Sequence, residues 1–278
     1  MIVDIHTHLV DFHTEFGDQL IDDMTRCGIS LDIWTYSEED YIAATAAADK
    51  VIVFGLKAVK TGWNVDNLRV ADFVKRHSDK YIYFASIDPY QDGYMEDLRY
   101  NHTVQNCRGI KIGALYQGVH PCDPRYYEIY AYCQKHGLPI ITHSATSFTS
   151  GVPLDFARPY HIDQVACDFP NLKIVMAHLG HPWEGETLAV IRRNKNVYAD
   201  LSALYYRPWQ FYNSMRLAEE YGCMSKILFG SDFPATTTES SIAGVKNINE
   251  IIKNSGLPAI SAQAIEEIIH RDSLSILL

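Results

Sequence analysis

Eight short runs rich in Ile and Val, at 2–6, 50–55, 81–87, 108–112, 138–143, 173–178, 196–201 and 226–230, recur along the chain with stretches of helical spacing between them. Few architectures accept that alternation. Strand-like runs separated by crossover helices pair in parallel, because each helix returns the chain to the end of the sheet where the previous strand began. Helix punctuation agrees: Ser37 precedes Glu38-Glu39-Asp40, Asp123-Pro124 reads as a cap and first helical position, and Gly137 and Gly222 stand where helices should end. Eight such units favour a closed α/β barrel, (β/α)8, over an open sheet. The 278 residues suit a single domain spanning 1–278, in which 261–278 reads as one extra capped C-terminal helix closing the barrel's end. There is no internal repeat, low-complexity tract or linker.

Composition narrows the function classes. With 47% hydrophobic and 21% charged residues, the chain has the means to bury a sizeable core. A formal charge of −10 without a Lys/Arg cluster repels a phosphate backbone, so no nucleic-acid partner is expected. No apolar run approaches the ~18 residues of a membrane span, and with a first strand expected from residue 2 no signal peptide is expected. The expected compartment is the cytoplasm. The six cysteines form no Cys-x-x-Cys pair and are expected to be reduced and mostly buried.

In a parallel barrel the active site is built at the C-terminal tips of the strands, and the chemistry of this chain concentrates there. His6-Thr7-His8 ends the first run. Residues i and i+2 of a strand share a face about 6.6 Å apart, so one metal ion is within reach of both imidazoles. The runs at 138–143 and 173–178 end in His143 and His178, and that at 226–230 is followed by Ser231-Asp232. Four strands delivering His or Asp at their tips are hard to explain as core packing. Lys111 points inward if Ile110 and Ile112 face the helices; it reads either as a carboxylated bridge between two metals or as a lysine lining the pocket or pairing with an acid. Asp4, on the face of His6 but a step deeper, is expected to hydrogen-bond within the barrel.

The connections carry weaker signals. Segment 9–38 is a long first connection in which 31–36 could be extended, and loops of that length are usually functional. After strand seven, Asp200-Leu201-Ser202 is followed by Tyr205-Tyr206-Arg207-Pro208-Trp209, which reads equally as a wall for a planar or aromatic carboxylate and as the packed start of a helix. Arg158, ahead of Pro159, carries the same two readings. His13 and His181 sit on loops near the expected mouth. The Tyr-rich helix around 126–132 is expected to pack in the outer layer and leaves a homodimer contact open.

The ordered set His6-Thr7-His8, Gly109-Ile110-Lys111-Ile112, Thr142-His143, Ala177-His178-Leu179-Gly180 and Phe229-Gly230-Ser231-Asp232 resembles the amidohydrolase superfamily, and within it the branch that includes aminocarboxymuconate-semialdehyde decarboxylase. The likeness spans essentially the whole chain. It implies a metal-dependent TIM-barrel enzyme in which His6, His8, His143 and Asp232 bind one divalent ion and His178 is a catalytic histidine. The related TatD-type nucleases share the His-x-His and the late Asp but place a Glu on strand four, where this chain has Lys111. Three imidazoles and a carboxylate with a position left for water describe an open catalytic site. Such a metal lowers the pKa of its water toward ~7 and polarises a carbonyl. Asp232 would then shuttle the water's proton to the leaving group. His178 would stabilise developing charge or relay a proton, a direct metal contact and a supporting role remaining open.

Zinc is the expected ion, although the set would also take manganese, iron(II) or cobalt. The expected activity is hydrolysis of a C–N or C–O bond of a small organic acid, amide or lactone, with non-oxidative decarboxylation of an unsaturated or aromatic carboxylic acid as the alternative. Lys111, Arg158, Tyr205 and Arg207 are the candidates for binding the small-molecule substrate, whose identity lies in loop shape rather than in the motifs.

Overall fold

The structure is a computed structural model describing residues 1–278. The eight runs form strands β1 (Val3–His8), β2 (Lys50–Phe54), β3 (Tyr81–Tyr83, resuming at Ala85–Ser86), β4 (Ile110–Ile112), β5 (Ile140–Thr142), β6 (Ile174–Met176), β7 (Val197–Asp200) and β8 (Ile227–Leu228). Each pairs in parallel with its neighbours in sequence. The ring closes where the amides of Ile5 and His8 donate to the carbonyls of Phe229 and Phe233 at 3.1 and 2.9 Å. The fold is the expected (β/α)8 barrel.

The helices start and stop where the sequence marks them. Ser37 and Asp40 cap one another reciprocally, Asp123 accepts from the Arg125 amide with Pro124 in the first turn, and Gly137 takes φ +69° at the end of Pro124–His136. Caps of this kind contribute about 1 kcal/mol each. The single C-terminal helix expected over 261–278 is instead two, Ala262–Ile269 capped by Ser261 and Ser273–Leu277, which starts afresh where the Asp272 side chain accepts from the Ser275 amide.

Two cores result. The larger lies between strands and helices and takes the outward residues, among them Val51, Val53, Ile110 and Ile112. The smaller fills the lower barrel with Val3, Ile5, Ile52, Phe54, Phe84, Ile141, Val175 and Leu228, and Leu277 from the last helix plugs it from below. Ile110 and Ile112 thus face the helices, and Lys111 points into the barrel.

Register on β1 departs from simple alternation. Asp4 opposes Val51 whereas His8 opposes Phe54, so four steps along β1 match three along β2. The extra residue is a bulge, which reverses the alternation beyond it. Asp4 consequently turns outward with Val51, accepting from the Ser231 amide at 2.9 Å and the Thr238 hydroxyl at 2.6 Å. It does not share the face of His6, as strict alternation predicts.

The first connection holds a helix, Asp18–Arg26, and a helical turn, Asp32–Trp34, in place of an extended 31–36. The turn lets Trp34 pack against Phe16 and Trp63, at ring separations of 5.3 and 5.4 Å, and that burial outweighs local β-propensity. Trp63 comes from a small antiparallel hairpin, Lys57–Ala58 with Trp63–Asn64, set just after β2. All six cysteines are free; Cys107, Cys133 and Cys223 are buried, but Cys27 and Cys167 are exposed, fewer buried than expected. No helix is long and apolar enough to cross a membrane.

Candidate metal centre and active site

Above the apolar floor the barrel interior turns polar. The bulge on β1 brings His6 and His8 inward, where the Phe54 ring lies 5.0 Å beneath each imidazole. Asp200, at the tip of β7 and fully buried, accepts His6 Nδ1–H at 2.9 Å. With the proton held there, the lone pair of His6 Nε2 faces the barrel centre. It lies 3.3 Å from Asp232 Oδ1, and His8 Nε2 lies 3.5 Å from the same oxygen.

His178 reaches the cluster through its backbone. It and the two residues after it, Leu179 and Gly180, all have left-handed φ, at +62°, +47° and +67°. Asp232 is left-handed as well, at +66°. Such conformations cost non-glycine residues about 1–3 kcal/mol each and persist where the surroundings hold them. Here the His178 amide is held by Asp200 Oδ1 at 3.0 Å, and His178 Nδ1 meets the Ser202 carbonyl at 3.2 Å, which leaves Nε2 free of its proton. Gly230 serves the same packing: a Cβ there would stand 2.8 Å from that of His6.

Ligating atoms of His6, His178 and Asp232 fall within 4.8 Å of one another. His8 joins them through Asp232, while His143 stands beside His178 at a ring separation of 4.9 Å, its Nε2 3.3 Å from the Thr146 carbonyl. The structure therefore draws His178 into the donor cluster and sets His143 at its edge. The left-handed turn after β6 swings His178 over the barrel axis.

The imidazoles are held uncharged. Burial above all, then the Lys111 ammonium, holds the imidazoles of His6 and His8 well below their usual range; burial followed by His6 does so for His178. Neutral imidazoles offer lone pairs, as metal binding requires. Burial raises Asp232 and lowers Lys111. The buried His8 Nδ1 has no hydrogen-bond partner. Lys111 Nζ sits 3.1 Å from His6 Nε2 and 4.7 Å above the Phe54 ring, so a positive charge already approaches the donors. Several imidazoles and a carboxylate converging from separate strands fit a divalent ion of the zinc or manganese type.

A cavity of about 530 Å³ opens above these groups. Residues of 9–38 (Ile33, Trp34), 144–160 (Thr146, Phe148) and 202–209 (Tyr206, Arg207) share in its wall with Trp63 and Tyr116. Of the substrate-binding candidates, Lys111 and Arg207 line it; the Arg207 guanidinium stacks on the Tyr206 ring at 4.6 Å. Tyr205 instead donates its hydroxyl to the Gly230 carbonyl at 2.6 Å, and Arg158 pairs with Glu186 and stacks on Trp183 at 5.5 Å. Neither is in the wall. His181 is, while His13 lies in an adjoining groove. Sequence reasoning did not identify Asp200 and Ser202 as organisers of the site; their position just after the seventh run was the available signal.

A family model described as amidohydrolase matches residues 3–271. Among solved structures, the chain is similar to an uncharacterised TIM-barrel protein from Bordetella bronchiseptica, with TM-score 0.74 and 22% identity over 99% of this chain and 98% of that one. It is similar to an amidohydrolase from Burkholderia multivorans with bound zinc, with TM-score 0.69 and 13% identity over 100% and 99%. A dihydroxybenzoic acid decarboxylase from Polaromonas sp., with bound manganese and the inhibitor 2-nitroresorcinol, gives TM-score 0.67 and 12% identity over 99% and 96%. A search of curated proteins gives no match.

Proposed function

The chain belongs to the amidohydrolase family, and from that premise we propose that it hydrolyses a C–N or C–O bond of a small organic acid, amide or lactone with the help of one divalent metal ion. The observation that carries this reading is the approach of His6 Nε2 and His8 Nε2 to Asp232 Oδ1, at 3.3 and 3.5 Å, with His178 beside them, beneath an aromatic-walled cavity. His6, His8, His143 and Asp232 would hold the ion, zinc in this reading, with His178 at their side. When bound, it supplies Lewis acidity and makes water acidic enough to ionise near neutral pH.

The side chains do the rest. Asp232 Oδ1, poised between His6 and His8, takes the proton of the attacking water and returns it to the leaving group. His178, with Nδ1 anchored on Ser202, keeps Nε2 available to accept and relay a proton. Trp34, Trp63, Tyr116 and Phe148 exclude bulk water and give a planar group faces to stack on.

A second reading, non-oxidative decarboxylation, is favoured by one feature: Arg207 and Lys111 line the same aromatic cavity, an arrangement suited to a planar carboxylate. The two reactions differ in the fate of water. Incubating lactones, amides and hydroxy-aromatic acids in heavy-oxygen water should label the product without releasing carbon dioxide. Carbon dioxide release from an unlabelled product would overturn hydrolysis in favour of the lyase.

A further inference from the structure

A second cluster of metal-ligating side chains lies apart from the barrel centre, where two loops meet. His120 belongs to the loop leading into Pro124–His136, Asp155 to the helical turn Leu154–Ala157, and His161 to the first turn of Tyr160–Asp168. Asp155 Oδ2 stands between the imidazoles, 3.0 Å from His161 Nε2 and 3.9 Å from His120 Nε2. Ligating atoms of the three residues fall within 4.8 Å of one another. The two rings meet edge to face at 4.3 Å, and Phe156 packs on His120 at 5.2 Å.

The backbone fixes this arrangement from both sides. The His120 carbonyl accepts from the Asp123 amide at 2.9 Å, the Asp155 carbonyl from the Arg158 amide at 3.0 Å, and the Arg158 carbonyl from the His161 amide at 3.2 Å. Nothing in the proposed reaction uses these groups.

We propose that His120, Asp155 and His161 form a second site for a divalent transition metal, with its remaining coordination positions open to solvent. Two imidazoles and one carboxylate suit zinc, copper or nickel; calcium and magnesium require a fuller set of oxygen donors. The site is weaker than the barrel centre for a visible reason. His120 Nδ1 accepts from the Cys122 amide at 3.1 Å, which keeps the proton of the neutral ring on Nε2. Ligation through Nε2 moves that proton to Nδ1 and gives up the amide contact. A bound ion would tie the loop after β4 to the one after β5, whose Thr146 and Phe148 line the cavity, and so stiffen one wall of it.

The test titrates the protein as purified with zinc and separately with copper, following stoichiometry by calorimetry and elemental analysis. The wild type should take up one weak equivalent beyond its tight one, with a copper spectrum showing two nitrogen ligands. That weak equivalent should be lost in His161→Ala, in His120→Ala and in Asp155→Asn, while the tight one stays. Asp155 is 63% exposed on its side chain, so its amide replacement leaves the core untouched. Absence of a weak equivalent in the wild type, or its persistence in all three variants, would overturn the proposal.

Discussion

Asp200 decides which nitrogen of His6 faces the cavity. One of its oxygens takes His6 Nδ1–H, and the other takes the amides of His178 and Ser202 at 3.0 Å each. A single buried carboxylate thereby orients two of the histidines in the cluster. Asp200→Asn keeps the volume but weakens that anchor and admits the wrong tautomer of His6. We expect metal affinity to fall about 10- to 100-fold in chelator competition, with unchanged circular dichroism; unchanged affinity would reduce Asp200 to packing. His178→Asn removes a titratable nitrogen and should lower turnover by roughly 10². If metal content falls in parallel, His178 is a ligand; normal turnover would exclude it from the reaction. The histidines and Asp232 were legible in the sequence because residue type and position at a strand tip are local facts. The role of Asp200 was not, because it depends on which atoms of β1, β6 and β7 face one another.

Each strand needs its neighbours, yet the strands were the most legible elements: runs of Ile and Val bounded by caps and glycines are written locally. What local pattern hides is any interaction across the sheet. The bulge between Asp4 and Thr7 exists only in the pairing of β1 with β2, so alternation alone put Asp4 on the wrong face. The turn at Asp32–Trp34 likewise depends on Trp63 arriving from a distant hairpin. The last helix shows the same dependence in its packing. Leu277, fully buried, belongs to the inner barrel core with Val3, Val175 and Leu228. Leu277→Ala should therefore cost about 2–5 kcal/mol in urea unfolding, with the metal content of the folded protein unchanged. A cost below 1 kcal/mol, on the order of a surface substitution, would show that the helix does not close the barrel.

For the molecule as a whole, gathering so many buried imidazoles in one barrel ties stability to pH. Burial lowers His6, His8 and His178 well below 6.5, His143 to about 3 and His181 to about 4. Below pH 6.5 the unfolded chain binds protons at these sites and the folded chain does not, so stability present above 6.5 is lost as the pH falls. Each imidazole costs up to about 1.4 kcal/mol per pH unit over that window. The carboxyls that burial raises, Asp4, Asp88 and Asp232, act in the opposite sense, and the depressed imidazoles outnumber them. The urea midpoint of the metal-free protein should therefore be lower at about pH 5 than at about pH 7, on either side of the ordinary histidine pKa; a flat or inverted profile would mean that the imidazoles do not outweigh the buried carboxyls.

The central claim is that strand tips converge to hold one ion, and elemental analysis tests it most directly. The wild type should carry one divalent ion per chain, and the His6→Ala, His8→Ala double variant should carry none while keeping its circular dichroism. Full metal retention at the barrel centre in that folded double variant would contradict the account.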